Sequence, residues 1–285
     1  SCCQVRFGVC CCRAHEFEQD GDHYIVIEPN SDEGIAFVEI DPEKKEITGY
    51  NPVHRIYQGY GKEAGFSGHF VIQLNEEIAD YGVWDSTTIT SGRKSAKGQK
   101  HAVGAWIKLA SDKPGKTLVK VATSFTSIDN ARKNLASEIP EWDFNEVRQA
   151  SSDTWNQALG QIAVKGNNEK EMVKFYSALY NAHFLPRTFS DVDGSYPRFD
   201  GDGQIMKMDH GTYYCDFSQW DTYRAVHPLF SILNPSRNGD MAHSLVLKGQ
   251  QGGWLPIFPS WNSYTAAMIG DHCIAMIGDA IVKDT

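Results

Sequence analysis

The densest group of chemically useful side chains lies in the run Asp216–Arg224, which reads DFSQWDTYR. Trp220, Asp221 and Arg224 are the side-chain types with which proteins hold a pyranose. An aromatic face packs on sugar C–H groups, a carboxylate accepts from two hydroxyls, and a guanidinium donates to sugar oxygens. The alternative is a helix start in which Asp221 and Arg224 pair with each other at i, i+3 spacing. From the residues alone, both interpretations stay open.

A second candidate is the segment Gly252–Pro256, which reads GGWLP. It is too rich in glycine for a plain core segment and predicts a loop that presents Trp254 to a ligand. His227, His243 and His272 fall within helical patterns, and we interpret them as structural histidines.

The segment Asp191–Gly194 (DVDG) has the acidic start of a calcium loop, which makes Asp191 and Asp193 candidate calcium ligands. The glutamate that should close such a loop is missing, and Asp202 stands in its place. An Asx-type turn is therefore the alternative interpretation of this segment.

The cysteines are unevenly distributed, because five of the seven crowd the first twelve residues. Their adjacent pairs do not match the spacing of a metal knuckle, and His15 is the nearby imidazole. The stretch shows no strand alternation and no helical face. We therefore expect residues 1–14 to be an unstructured leader without a function, while Cys215 and Cys273 stand alone.

The overall composition disfavours several classes of partner and enzyme. The chain has 285 residues and a formal net charge of -9, which argues against binding to nucleic acid or an anionic membrane surface. No run of 18 or more apolar residues occurs, so no membrane span is predicted. The HExxH, GxSxG and Walker A motifs are absent, and Gly59-Tyr60-Gly61 lacks the third glycine of a dinucleotide loop and predicts a turn.

Residues 15–126 are predicted to form an antiparallel β-sandwich. Short runs rich in Val, Ile, Phe and Thr alternate with turn residues, and no helical segment lies between them. The predicted strands are His23–Glu28, Gly34–Ile40, His69–Leu74, Ala102–Leu109 and Thr117–Thr123.

The hydrophobic period becomes helical near Ser127. Residues 127–165 are predicted to form linker helices, with Ser127 and Asp143 at their N-termini. Residues 166–285 are predicted to open an all-α layered or toroidal domain. Its predicted helices begin at Asn168, where the first runs up to Pro186, and continue over Phe217–Leu233, Pro235–Lys248 and Thr265–Lys283.

The last predicted helix runs to Thr285 without a stop signal, so we expect the chain to be a fragment of a longer protein. In that case the helix faces that carry Phe175 with Leu179 and Leu245 with Leu247 are expected to lack their neighbours.

The order of motifs resembles that of glycoside hydrolase family 92. The motifs that carry the resemblance are Tyr81–Trp84, Thr123–Ser127, Arg187–Gly194, Tyr214–Ala225, His227–Leu229, Pro235–Met241, Gly252–Pro256 and Met268–His272. Together they extend over roughly Tyr50 to Thr285 and follow one another as in that family.

The resemblance implies an N-terminal β-sandwich followed by the start of an (α/α)₆ barrel. It implies an inverting, calcium-dependent exo-α-mannosidase that is secreted or periplasmic and acts on mannose-containing glycans. It assigns Asp221 to hydroxyl recognition in the −1 subsite, with Trp220 and Arg224 in support. The catalytic acid and base are expected beyond Thr285, so we expect no turnover by this chain itself.

Two alternatives remain open from the sequence. A non-catalytic carbohydrate-binding protein could use the sandwich together with Trp220, Asp221 and Arg224 to hold a glycan. Another (α/α)₆ glycosidase, such as a trehalase-like enzyme, would share the architecture but prefer α-glucosides. The helical half disfavours the first alternative, and the motif order disfavours the second.

Overall fold

The computed structural model describes residues 2–4, 10–29, 34–57, 59, 61–99, 103–201 and 203–285. The chain divides into two compact units. The β unit comprises Ser1–His54, Gly65–Ser151 and Asp191–Asp193, and the helical unit comprises Arg55–Ala64, Ser152–Ser190 and Gly194–Thr285.

Antiparallel strands build the β unit. They are β1 (Cys2–Gln4), β2 (Cys10–Phe17), β3 (Tyr24–Ile27), β4 (Ile35–Asp41), β5 (Glu46–His54), β6 (Glu63–Leu74), β7 (Ile78–Asp85), β8 (Thr88–Ser91), β9 (Ser95–Gln99), β10 (Val103–Leu109) and β11 (Gly115–Ser124). One sheet has the order β1-β2-β11-β6-β5-β4-β9, and the other has the order β3-β10-β7-β8.

The two sheets share one apolar core, which makes the β unit a sandwich. Strand β4 shows the required period of two, since Ala36, Val38 and Ile40 are buried while Ile35 and Glu39 are exposed. The same core contains buried residues of β7 and β10 from the other sheet. The predicted antiparallel sandwich is therefore confirmed.

The expectation of an unstructured leader is wrong for residues 2–4 and 10–14. Strand β1 pairs antiparallel with β2. Strand β2 pairs antiparallel with β11 from Cys10 opposite Ala122 to Phe17 opposite Gly115. Cys10 and Cys12 are buried, because alternate cysteines of a strand pack as small apolar side chains. Burial raises the pKa of the Cys10 thiol far above its ordinary range. Residues 1 and 5–9 of the predicted leader lie outside the described residues.

The first two helices begin where the sequence predicts. Helix α1 spans Ile128–Glu138, and its N-cap Ser127 accepts a hydrogen bond from the backbone N–H of Asn130. Helix α2 spans Phe144–Leu159, and Asp143 Oδ1 accepts from the backbone N–H groups of Asn145 and Glu146 in its first turn. Helix α1 packs on β11 in the β unit, while α2 is divided between the units at Ser151.

The helical unit contains five further helices and four short strands among its described residues. They are α3 (Glu169–Ala182), β12 (Arg187–Thr188), β13 (Ser195–Pro197), β14 (Ile205–Lys207), β15 (Tyr214–Cys215), α4 (Gln219–Thr222), α5 (Val226–Leu233), α6 (Pro235–Gly252) and α7 (His272–Val282). Strand β12 pairs with β15, and β13 pairs with β14, both antiparallel. No helix formed by the described residues is long and apolar enough to cross a membrane.

Two predicted helices differ from those observed. The predicted helix 217–233 is split into α4 and α5, because Pro228 clashes with the carbonyl four residues earlier unless it lies in the first turn. The predicted helix 265–283 begins only at His272. Ala266, Met268 and Gly270 have φ angles of 48°, 68° and 93°, which interrupt any helix before that point.

The expected uncovered helix faces are not the ones that the structure exposes. Leu179 and Leu245 are buried, and Leu245 belongs to the core formed by α5, α6 and α7. The exposed large apolar side chains are instead Val173 and Tyr180 on α3, Ile232 on α5, and Ile274, Ile281 and Val282 on α7.

We expect Gly104→Ala to destabilise the β unit by about 2 kcal/mol, because a Cβ at this position would lie 2.0 Å from the Trp84 ring. Gly115→Ala is the matched control, since its Cβ would meet nothing closer than 3.9 Å. Urea unfolding measures both variants. An unfolding free energy of Gly104→Ala equal to that of the control would contradict the packing described here.

Candidate functional site

The helical unit contains a cleft of about 440 Å³. Its walls come from the β5–β6 loop, the loop that follows α6, and one residue between β13 and β14. The residues that carry its chemistry are Arg55, Lys62, Asp200, Trp254, Phe258 and Tyr264. Three distant stretches of sequence therefore build one site.

The Trp254 side chain projects into solvent and is 80% exposed. Helix α6 ends at Gly252, and Gly253 adopts φ 91°, a left-handed conformation that turns the chain out of the helix. The Tyr264 hydroxyl then holds both backbone groups of Trp254, accepting from its N–H at 3.0 Å and donating to its carbonyl. A side chain at position 252 would collide with Tyr264, so the glycine is required there. The loop exposes Trp254 as the sequence suggests, and the binding of a ligand by this side chain stays a prediction.

The charged side chains of the cleft are Lys62 and an ion pair of Arg55 and Asp200. Arg55 Nη2 lies 2.9 Å from Asp200 Oδ1, and both side chains are partly exposed. The nearby Asp200 carboxylate adds to the effect of burial in raising the pKa of Tyr264. An exposed indole, a carboxylate and a guanidinium are the combination that binds a pyranose.

Sequence reasoning missed Arg55, Lys62 and Asp200. The first two belong to a hairpin loop of the β-rich half, and nothing in the sequence places that loop in the helical unit. Gly59 and Gly61 form the predicted turn with positive φ angles, whereas Tyr60 lies outside the described residues. The calcium-loop pattern Asp191–Gly194 gave no reason to single out Asp200. Asp202, which stands where the closing glutamate of such a loop is expected, lies outside the described residues.

Trp220, Asp221 and Arg224 lie on and just after the short helix α4, and all three are exposed. Ser218 Oγ donates to Asp221 Oδ2, and the Arg224 guanidinium lies 5.3 Å from the centroid of the Trp220 ring. Asp221 and Arg224 thus have other partners, and the structure does not form the i, i+3 ion pair. The second carboxylate oxygen of Asp221 stays available to a ligand.

The loop that follows α6 is bound to the residues that precede α4. The N–H of Phe217 donates to the carbonyl of Pro259 at 3.2 Å, and the N–H of Trp261 donates to Asp216 Oδ1 at 2.9 Å. Arg187 pairs with Asp216 and lies 4.4 Å from the centroid of the Trp261 ring. These contacts hold the residues that precede α4 against the loop that follows α6.

Lys248 supports this loop from within the helical unit. Its ammonium is fully buried and donates to the Tyr214 carbonyl at 2.8 Å and to Asn262 Oδ1 at 3.3 Å. It also lies 3.6 Å from the centroid of the Tyr213 ring. Burial lowers the pKa of Lys248 to about 8.

The candidate calcium residues Asp191 and Asp193 belong to the β unit. Asp191 is buried, and its carboxylate accepts from four side chains. The donors are Ser124, Thr126, Asn130 and Asn134. Asp193 pairs with Lys133 at 3.0 Å. Protein donors thus account for both carboxylates, and a calcium site at this loop stays a prediction.

Comparison with solved structures places the chain among glycoside hydrolases. It aligns with the family GH92 inverting mannosidase BT2199 of Bacteroides thetaiotaomicron with a TM-score of 0.84 and 24% identity, covering 96% of this chain and 36% of that one. It aligns with the family GH92 alpha-mannosidase BT3965 of the same organism with a TM-score of 0.82 and 25% identity, covering 96% and 37%.

Sequence comparison gives the family. The model of the glycosyl hydrolase family 92 N-terminal domain matches residues 12–124, and that of the family's catalytic domain matches residues 130–285. The chain belongs to glycosyl hydrolase family 92. An uncharacterized secreted glycosidase of Arthroderma benhamiae is 32% identical over 119 residues, which cover 40% of this chain and 14% of that protein. The chain spans little more than a third of the solved relatives it matches.

We expect Asp191→Asn to lower the unfolding free energy of the β unit by about 3 kcal/mol, because a buried acceptor of four hydrogen bonds loses its charge and gains a donor amide. Asp193→Asn, whose partner Lys133 is largely exposed, is expected to cost less than about 1 kcal/mol. Urea unfolding compares the two, and equal effects would show that the Asp191 hydrogen bonds contribute little.

We expect the stability of the wild type relative to Lys248→Met to rise between pH 8 and pH 10.5, from the folded pKa of about 8 to the ordinary value of 10.5. In this window the Lys248 amine is protonated in the unfolded chain but not in the folded one. The free energy of unfolding therefore increases as the pH rises. The gain is on the order of 3 kcal/mol. Unfolding at several pH values measures it. The cysteine thiols ionise in both proteins, so their effect cancels in the comparison. A difference in unfolding free energy that stays constant with pH would contradict the lowered pKa of Lys248.

Proposed function

We propose that this chain forms the sandwich and the first part of the catalytic domain of an α-mannosidase that removes terminal mannose from glycans. The observation that carries the proposal is the cleft that exposed Trp254 lines together with the Arg55–Asp200 ion pair. Two solved relatives named mannosidases support the choice of sugar. The relative described as secreted supports a secreted or periplasmic location.

Each candidate side chain has a proposed role in sugar recognition. Trp254 offers its indole face to the C–H groups of a pyranose, and Asp200 and Arg55 bind hydroxyls at the cleft wall. Asp221 accepts from hydroxyls in the −1 subsite through its free oxygen, with Trp220 and Arg224 beside it. These residues bind and orient a sugar, and none of them is proposed as the acid or base.

The proposed reaction inverts the anomeric centre, as the name of one relative states for that protein. An inverting glycosidase needs one carboxylic acid to protonate the leaving oxygen and one carboxylate to activate water. By family resemblance these two groups belong to barrel segments that follow the region matched here. This chain is therefore proposed to bind the sugar, and turnover requires those segments.

Calcium is proposed as the cofactor of the whole enzyme, by family resemblance. Both oxygens of the Asp191 carboxylate accept from protein donors, so our proposal does not depend on calcium at this carboxylate. We therefore assign no step of the reaction to calcium at this loop. A chelator that weakens mannose binding in the wild type and in Asp193→Asn alike would place the ion elsewhere.

A non-catalytic carbohydrate-binding protein is the competing class. The match of the family's catalytic-domain model to residues 130–285 disfavours it, since more than half of the chain belongs to that domain. A trehalase-like enzyme would be distinguished by ligand preference. Binding of α-glucosides in place of α-mannosides would contradict the proposed substrate.

We expect Trp254→Ala to weaken the binding of methyl α-mannoside about tenfold, since loss of an aromatic stacking face costs roughly 1.5 kcal/mol. Trp142→Ala is the matched control, because Trp142 is also exposed but lies in the β unit. Isothermal titration with α-mannosides and α-glucosides measures both variants. An equal loss in the two variants, or none in Trp254→Ala, would remove the cleft from the proposal.

A further inference from the structure

A cluster of two imidazoles and a carboxylate lies in the helical unit, and neither the proposed sugar site nor the family motifs include it. Asp209 and His210 belong to the loop between β14 and β15, and His243 lies on α6. One ligand atom from each of the three lies within 4.8 Å of the others. We refer to these three residues as the His–Asp cluster.

The loop that carries Asp209 and His210 is held tightly against α6. Asp240 lies one turn before His243 and accepts from the N–H of Thr212 at 3.0 Å. Gly211 has a φ of +69°, and a Cβ there would lie 2.1 Å from the Asp240 carboxylate. The approach of the loop to the helix therefore depends on a glycine and on a side-chain hydrogen bond. Both place His210 over the turn that carries His243.

The cluster has the donor atoms of a cation site. His210 Nδ1 lies 2.9 Å from Asp209 Oδ1, and the rings of His210 and His243 are stacked with centroids 5.0 Å apart. His243 Nδ1 is buried and has no hydrogen-bond partner. Asp209 and His210 are exposed, so an ion can reach the cluster from solvent. The His243 imidazole thus brings a buried nitrogen without a hydrogen bond to a cluster that holds a carboxylate–imidazole pair, which is costly unless a ligand binds there.

We propose that Asp209, His210 and His243 bind a divalent transition-metal ion of the zinc class. Two imidazole nitrogens and one carboxylate oxygen suit zinc, whereas calcium prefers oxygen ligands alone. When the ion binds, any proton on the ligating His210 nitrogen is released to solvent, and water completes the coordination of the ion. Zinc–nitrogen bonds of about 2.0–2.1 Å require the ligand atoms to move closer together. The exposed side chains of Asp209 and His210 can rotate to allow this.

Isothermal titration with Zn²⁺ tests the proposal on the whole chain. Accessible thiols are alkylated first, because any free thiolate is a zinc ligand and would add to the titration signal. We expect one zinc site in the wild type. Asp209→Asn, His210→Ala and His243→Ala are each expected to lower the zinc affinity at least about tenfold, because the loss of a mere outer-shell partner already costs that much. His15→Ala is the control, because this histidine lies beside the cysteines on β2, and its affinity should equal that of the wild type.

A second measurement separates ligand loss from misfolding. Zinc is expected to raise the melting temperature of the wild type and of His15→Ala in proportion to its binding, and to leave that of folded His243→Ala unchanged. Far-ultraviolet circular dichroism verifies that the variants are folded. Unchanged zinc affinity in His210→Ala and His243→Ala, or a loss confined to His15→Ala, would overturn the proposal.

Discussion

The buried ammonium of Lys248 is the constraint on which the arrangement of the helical unit depends. Burying a cation without hydrogen-bond partners costs too much free energy for a stable fold, so the surroundings of Lys248 must supply acceptors. They do so through the Tyr214 carbonyl, the Asn262 side chain and the face of Tyr213. Asn262 in turn donates to the carbonyl of Pro197. One side chain of α6 thereby determines where β13, β15 and the loop after α6 lie.

A second constraint is the pairing of glycines with aromatic rings. Gly104 makes room for Trp84 in the β unit, and Gly252 makes room for Tyr264 at the end of α6. In both places the absence of a Cβ lets a ring approach the backbone closely. At Gly252 this approach has a consequence for binding, since the Tyr264 hydroxyl can then hold the backbone of Trp254.

The sequence predicts the structure well where one local rule decides. The strands of the sandwich follow the alternation of apolar residues, and Ser127, Asp143 and Asn168 begin their helices as predicted. Prediction from the sequence fails where the local pattern of residues does not match the structure that the chain adopts. Three adjacent cysteines conceal the alternation of β2, and the residues before His272 look helical although several adopt positive φ angles.

The candidate site was predictable only in part, for a different reason. Trp254, and the set of Trp220, Asp221 and Arg224, could be named as candidates because their motifs are contiguous in the sequence. Arg55 and Asp200 were missed because they are 145 residues apart and meet only through the fold. No spacing rule connects a hairpin loop of the β-rich half with a residue of the helical unit.

The helical unit contains two sets of Trp, Asp and Arg. The contiguous set is Trp220, Asp221 and Arg224, and the set assembled by the fold is Trp254, Asp200 and Arg55. The two sets differ in which group is free to bind a ligand. In the contiguous set, the Arg224 guanidinium lies over the Trp220 ring, so a sugar must displace it before it can stack there. The Asp221 carboxylate of that set retains a free oxygen. In the assembled set the carboxylate is paired with Arg55, whereas the indole of Trp254 is 80% exposed. Each set therefore offers what the other lacks. In the proposed sugar site, stacking is favoured at Trp254 and hydroxyl recognition at Asp221, so we propose that a glycan that engages both segments binds more tightly than one that engages either set alone.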